Sequence, residues 1–321
     1  MCTAISVNKG FFLFGRTLDW FSSFGENIII TPQNYIFRFR ECGDMSKHYA
    51  IIGMGIERDG YPLYFDAFNE KGLCIAGLNF PNNTVYQKHI ANLKNIASYE
   101  FIPWVLGQCS SVSDAAKLIK KTNIIDNSFS DEFDATPLHW LISDKSASIT
   151  VECVKDGVKI YDNNIGVLCN NPPFDYHIEN IKKYMSLSPY QPQNQFSDNL
   201  SLKPNSFGFG AIGLPGDFSS SSRFVRAAFI KENTDFSGDD AINEFFKILS
   251  SVSVVKGTVK NDNQNEYTIY SSCHDTVNGV YYCKKYSSNV INAVTLKNCN
   301  LNSTEISVIP PLNKIEYIFL N

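Results

Sequence analysis

The chain opens with "MCTAI", Met1 to Ile5, and a few residues later reads "GRTLD", Gly15 to Asp19. A turn at Gly10 separates these two apolar stretches, so they are expected to pair as neighbouring strands. That pairing would bring Arg16 and Asp19 beside Cys2. Chain ends are poorly held, which makes position 2 a weak place for a packing residue. It is a better place for chemistry. Removal of Met1, permitted by the small residue behind it, would put an α-amine with a reference pKa of about 8 and a thiol of about 8.5 on one residue. Nucleophile and base would then share a residue, with no separate histidine. Arg16 and Asp19 alone read equally as a surface ion pair closing a hairpin. In the functional reading Asp19 holds the ammonium and Arg16 favours the thiolate.

Outward from this start, the first eighty residues read as short strands: "IIITP", "YIFRF", "YAIIGMG", then "YPLYFDAF" and "LCIAGLNF" around Gly72. Several of these runs do not alternate, which predicts strands covered on both faces. Two helices follow. "SYEFIPWVLGQC" (Ser98 to Cys109) carries an apolar stripe at helical spacing. "SSVSDAAKLIKKT" begins with Ser111 and has Asp114 three residues on, a capping-box-like start. Strands resume in "LHWLISD", "SITVECV", "VKIYD" and "GVLCNNP", with Asp156-Gly157 as a hairpin turn. Tyr184 to Phe209 is a long surface loop rich in Ser, Pro, Gln and Asn. "SSSSRFVRAAFIKEN" and "DDAINEFFKILSSV" then form helices, and "YTIYSSCHD", "GVYYCKKY" and "INAVTLK" form strands. The order strands, helices, strands, helices, strands suits an α+β fold of two packed sheets with helices outside, in one domain spanning residues 1–321.

Composition narrows the function. The 321 residues carry a net charge of −4 and no long basic run, so no nucleic-acid footprint is present. Nine cysteines, an odd number, lack C-x-x-C spacing and H-E-x-x-H is absent, which argues against a disulfide framework and a zinc site. The run "FFLF" is too short for a secretory signal, and no stretch approaches the roughly 20 apolar residues of a membrane span. The expected location is the cytoplasm. A cysteine–histidine protease would need His48, His89, His139, His177 or His274 in a recognisable motif, and none lies in one. His139 reads as a structural hydrogen-bonder.

With "YPLYFDAFNEKGL", "AGLNFP", "NNIGVLCNNP" and "GLPGDFSSSSRFVRAAF" following "MCTAI" and "GRTLD" in order, the chain closely resembles the choloylglycine hydrolase family. That family contains bile salt hydrolases and penicillin V acylases of the N-terminal nucleophile superfamily. The resemblance implies a four-layer αββα sandwich of two antiparallel sheets between helical layers. It implies Cys2 as nucleophile and base in a mature chain of residues 2–321, flanked by Arg16 and Asp19. Asn79 would give its backbone N–H, and Asn170 its side-chain amide, to an oxyanion hole. Arg223 would support the charge around the sulfur. Without the resemblance, Asn79 and Asn170 read as turn asparagines before Pro81 and Pro172, and Arg223 and Arg226 as solvated or ion-paired arginines.

The resemblance further implies hydrolysis of the amide joining a bile acid to glycine or taurine, with no metal or other cofactor, by a homotetramer without stable membrane association. Leu18, Phe129, Phe133 and Leu138 are its candidate pocket walls. Phe129 and Phe133 lie in the polar setting "NSFSDEFDATP", where large apolar groups suggest a binding surface unless the loop folds back over them. Asn79 followed by "FP" favours the bile-salt branch over penicillin V acylase, where tyrosine is common at this place. A catalytically silent amphiphile-binding relative would be expected to lack Cys2, Asp19, Asn170 or Arg223, and all are present.

Overall fold

Apolar runs without alternation become strands buried on both faces. In the computed structural model, which describes residues 1–238 and 240–321, β1 (Cys2–Asn8) and β2 (Phe12–Trp20) join at Gly10, whose φ of +79° suits glycine. Next come β3 (Asn27–Thr31) and a small hairpin of β4 (Phe37–Phe39) and β5 (Gly43–Met45). A meander follows of β6 (Ile51–Arg58), β7 (Tyr61–Asn69) and β8 (Cys74–Asn79). β9 (Lys94–Ala97), α1 (Phe101–Gln108), α2 (Val112–Ile119) and β10 (Thr122–Ile125) precede a second meander. This one is β11 (Leu138–Ser143), β12 (Ser148–Val154) and β13 (Gly157–Asp162), with β14 (Val167–Cys169) after it.

The helices α3 (Phe174–Ile181), α4 (Ser220–Asn233) and α5 (Ala241–Ser250) come next. Then β15 (Val259–Asn261), β16 (Gln264–Asp275), β17 (Val280–Lys285), β18 (Asn292–Thr295) and β19 (Ser307–Ile309) end the described elements. The capping predicted at α2 is present: Ser111 Oγ accepts from Asp114 N at 3.2 Å.

Two antiparallel sheets result. One runs β14-β1-β2-β16-β17-β18, with β15 on β16, and the other β13-β12-β11-β8-β7-β6-β3-β19. They pack face to face, α4 and α5 cover the outside of the first, and α1 covers the outside of the second. This is the αββα sandwich expected from the sequence. Several short elements were not anticipated: α3, the parallel β9–β10 pair, β5, β15, and β19 on the edge beside β3.

β1 lies inside its sheet, between β14 and β2. Strand alternation therefore decides which side chains meet the other sheet. Ser6 Oγ reaches Ser148 Oγ of β12 at 3.0 Å, which places Ser6, Ala4 and Cys2 on the inner face. Their partners across β2 are Phe14, Arg16 and Leu18. Thr3 faces out toward Arg223 of α4.

Candidate active site

Cys2 is buried at the start of β1, opposite Leu18. Its backbone N–H donates to Asn170 Oδ1 at 2.6 Å. Asn170 follows β14, and its Nδ2 donates to the Asn79 carbonyl at 2.7 Å, across to the other sheet. One of the two N–H groups of that amide remains uncommitted. Arg223, fully buried on α4, backs the arrangement: Nη2 donates to Asn170 Oδ1 at 3.0 Å, and Nη1 to Thr3 Oγ1 at 2.6 Å and to the Cys2 carbonyl. It meets the main chain of Cys2 from the helical layer, whereas the sequence reading set it around the sulfur.

Arg16 is held by a fault in the second sheet. The β6–β7 register slips at Phe65, and the β7–β8 ladder stops at Asp66–Ala76. The Phe65 and Gly77 carbonyls, which a continued ladder would pair, instead accept from Arg16 Nη1, while Nε donates to the Thr17 carbonyl at 3.1 Å. Burial alone would lower the pKa of this guanidinium. Cys2, Tyr270, Asp66 and Asp19 more than offset it and hold the value above the ordinary one. The same fault concerns Asn79. Phe80 N donates to the Pro137 carbonyl at 2.7 Å, so alternation turns the Asn79 N–H away from β11 toward the opened side. Among the described residues no strand pairs there.

The expectation for Asp19 concerns the α-amine of Cys2, which forms only once Met1 is removed. Three residues apart on one strand, Arg16 and Asp19 project to opposite faces. The Asp19 carboxylate accepts from Thr268 Oγ1 at 2.6 Å and Thr17 Oγ1 at 3.5 Å. With Met1 in place the terminal ammonium lies one residue beyond Cys2. It donates to the Asp19 carbonyl at 3.2 Å and pairs with the Glu266 carboxylate. Burial lowers the pKa of this amine. The carboxylate that meets it is thus Glu266, a residue that no sequence pattern singled out.

A cavity of about 410 Å³ opens in front of Cys2. Cys2, Arg16, Asp19 and Asn79 line it, and Asn170 and Arg223 stand behind. Its walls include Leu18, Phe129, Phe133 and Leu138, together with Ile56, Leu63 and Phe65. The 129–133 loop does fold back, through Phe129 N donating to the Phe133 carbonyl at 2.9 Å, yet both rings stay half-buried and face the cavity. Phe129 meets Tyr99 edge-on at 5.2 Å, and Arg58 lies over Phe133 at 5.5 Å. Glu132 and Asp134 are exposed at the rim.

The histidines have structural partners. His139 Nδ1 bonds Glu152 at 3.2 Å beneath a stacked Phe80. His177 Nε2 donates to the Asn170 carbonyl at 3.1 Å, and burial lowers its pKa to about 4, so it serves as a neutral prop for Asn170. All nine cysteines are unpaired. Among the described residues no cluster of three or more His, Cys, Asp or Glu is arranged for a metal.

An αββα sandwich with a cysteine opening an inner strand is the N-terminal nucleophile hydrolase fold. The family model for linear amide C–N hydrolases of the choloylglycine hydrolase family matches residues 2–309. The chain is 47% identical over 324 residues to a bile salt hydrolase/transferase of Lactiplantibacillus plantarum, with 100% of each covered. It is 40% identical to a bile salt hydrolase/transferase of Clostridium perfringens over 95% of each. The crystal structure of the C2A mutant conjugated bile acid hydrolase from Clostridium perfringens superposes with a TM-score of 0.92 at 38% identity, over 100% of both chains. A penicillin V acylase from Agrobacterium tumefaciens shares the fold, with a TM-score of 0.75 at 19% identity over 96% of this chain and 90% of that one. The chain belongs to the choloylglycine hydrolase family and is a hydrolase of linear amides.

Proposed function

We propose that this protein cleaves the amide of glycine- or taurine-conjugated bile acids through Cys2. Loss of Met1 would convert the Cys2 nitrogen from an amide into an α-amine. That amine takes the thiol proton as the sulfur attacks the carbonyl carbon, and the carbonyl π electrons move onto oxygen. The Asn79 N–H and the uncommitted N–H of Asn170 face this oxyanion, and Arg16 supplies positive charge beside the sulfur. Asp19 and Arg223 fix the strand and the asparagine from behind. On collapse the C–N bond breaks, and the α-ammonium returns its proton to the departing amino acid. Water, deprotonated by the same amine, then splits the thioester and regenerates the thiol.

The observation that carries this reading is the apolar cavity against Cys2, walled by Leu18, Phe129, Phe133 and Leu138 and suited to a rigid hydrocarbon acyl group. The names of the relatives point the same way. Two measurements test it together: turnover of taurocholate, glycocholate and penicillin V, and iodoacetamide labelling located by mass spectrometry. Conjugated bile salts should be preferred, with label on Cys2. A large preference for penicillin V would defeat the substrate assignment.

We extend the reading to one domain covering residues 1–321, located in the cytoplasm and assembled as a homotetramer. An inner apolar cluster that draws on both sheets supports the first, and nine unpaired thiols support the second. For the third, the segment between α3 and α4 leaves Met185, Tyr190, Phe196 and Phe207 exposed, Phe207 by 96%, a surface suited to cover by other subunits. Light scattering of the purified protein measures the assembly directly.

A further inference from the structure

Asp66 is a fully buried carboxylate that the scheme above leaves unused. It lies on β7 beside the slipped Phe65 and points between the sheets. Four donors from the opposite sheet converge on it: Ser272 Oγ at 2.9 Å, His274 Nε2 at 2.8 Å, Tyr281 Oη at 2.8 Å, and Tyr270 Oη. His274 Nδ1 has no partner among the described residues, which puts the ring proton on Nε2. One ring N–H and three hydroxyls fill the acceptor sites of the carboxylate.

Behind this cluster the permanent cation that offsets the charge is Arg16. The two residues never touch, yet they are joined twice. Ser272 Oγ accepts from Arg16 N at 3.2 Å while donating to Asp66, and the Phe65 carbonyl, next to Asp66 in sequence, accepts from Arg16 Nη1. A carboxylate in direct contact would neutralise the guanidinium where the sulfur needs it. One layer back, it stabilises the buried cation and leaves the inner side of the guanidinium to Cys2.

We propose that Asp66 is a positioning residue for Cys2, setting through Arg16 and Ser272 both the orientation of the guanidinium and the electrostatic potential at the sulfur. This rests on the role proposed for Cys2 above. The titratable and charged groups facing Asp66 are Arg16 from β2, Cys74 from β8, Tyr270 and His274 from β16, and Tyr281 and Cys283 from β17. The charged and titratable groups that act on Arg16 are Cys2, Tyr270, Asp66 and Asp19. Burial would raise the carboxyl pKa of Asp66. The hydrogen bond and charge of His274, with Arg16, more than offset that and keep it below the ordinary value, so it is ionised across the working range.

Asp66→Asn in the full-length protein keeps the shape and removes the charge. With less negative charge behind Arg16, the deprotonated forms of both the thiol and the α-amine are favoured. The acid limb of kcat/KM should therefore move down by about one pH unit, with kcat reduced about 10-fold and KM changed less than about twofold. Tyr281→Phe removes one donor and leaves the charge, so its limb should stay in place. The proposal is overturned if folded Asp66→Asn gives the wild-type limb, or if Tyr281→Phe shifts it equally. Should Asp66→Asn fail to fold, Ser272→Ala separates the Arg16 amide from the carboxylate with both charges retained. It should lower kcat about 10-fold without moving the limb, and an unchanged kcat overturns the proposal. The pH dependence of iodoacetamide labelling at Cys2 reads the same limb without substrate, so an error in the bile-salt assignment is distinguished from an error about Asp66.

Discussion

Asn170 binds Asn79 across the gap between the sheets, Nδ2 to carbonyl oxygen at 2.7 Å, while its Oδ1 holds the Cys2 N–H at 2.6 Å. One side chain thus sets the nucleophile's main chain and the rim of the opposite sheet in a fixed relation. Asn170→Ala should lower kcat by about 10²–10³ through loss of an oxyanion donor. It also strands a nitrogen of the buried Arg223, at a cost of roughly 1–3 kcal/mol, visible as earlier unfolding in urea. Asn170→Asp retains the acceptor, so it should recover the stability and not the rate. Recovery of both would show that the donor is not used.

Arg16→Lys is expected to be non-conservative. A single ammonium cannot span the Thr17, Phe65 and Gly77 carbonyls that the planar guanidinium joins. We expect kcat to fall by about 10- to 100-fold, with slower alkylation of Cys2 by iodoacetamide at fixed pH. A lysine variant with wild-type labelling and turnover would contradict the bridging role.

The aromatic pair over the cavity should act on binding. Truncating Phe129 or Phe133 to alanine removes about 1.5–3 kcal/mol of apolar contact with a steroid, a rise in KM of roughly 10- to 100-fold. Because both rings are cavity walls and take no part in the hydrogen bonds around Cys2, kcat should remain within about threefold. Steady-state kinetics on glycocholate decide this.

Asp217 links pH to the helix that carries Arg223. Hydrogen bonds from Ser219 and Ser222, at the start of α4, hold its carboxyl down at about 2. The folded value lies below an unfolded value of about 3.9, so the contribution is complete above about pH 4 and is lost as pH falls through about 2. The group is exposed and the effect modest. Asp217→Asn should lower the melting temperature by about 1–3 °C at about pH 7, and the difference should vanish near pH 2. Calorimetry of both proteins at the two pH values tests the sign.

Much of the architecture could be read from periodicity and punctuation. Non-alternating runs such as "YAIIGMG" marked strands covered on both faces, and Ser111 with Asp114 marked the start of α2. Short elements escaped. α3 has only eight residues, though Phe174, Ile178 and Ile181 lie at helical spacing after Pro172-Pro173. β19, three exposed residues on an edge, has no amphipathic signal at all. Within the site, residue types indicated Cys2 and Arg16, because the chemistry calls for a thiol and a cation, whereas Asn79 and Asn170 were singled out by the family resemblance alone. Carbonyl acceptors are invisible to such reading, since every residue carries one. The strand fault at Phe65 that seats Arg16, and the opposite facing of Asp19, follow only from register. Glu266 and His177 belong to the same class: their value lies in what they meet, and nothing local in the sequence announces it.

The interior position of β1 has a practical corollary. Any leader fused ahead of Cys2 must leave along the narrow exit between Asp19 and Glu266, and it would also acylate the nitrogen the chemistry needs. Purification handles therefore belong at the opposite terminus, where Phe319 and Leu320 already stand in solvent. An amino-terminal handle should yield folded but idle protein until a protease trims it back to the cysteine.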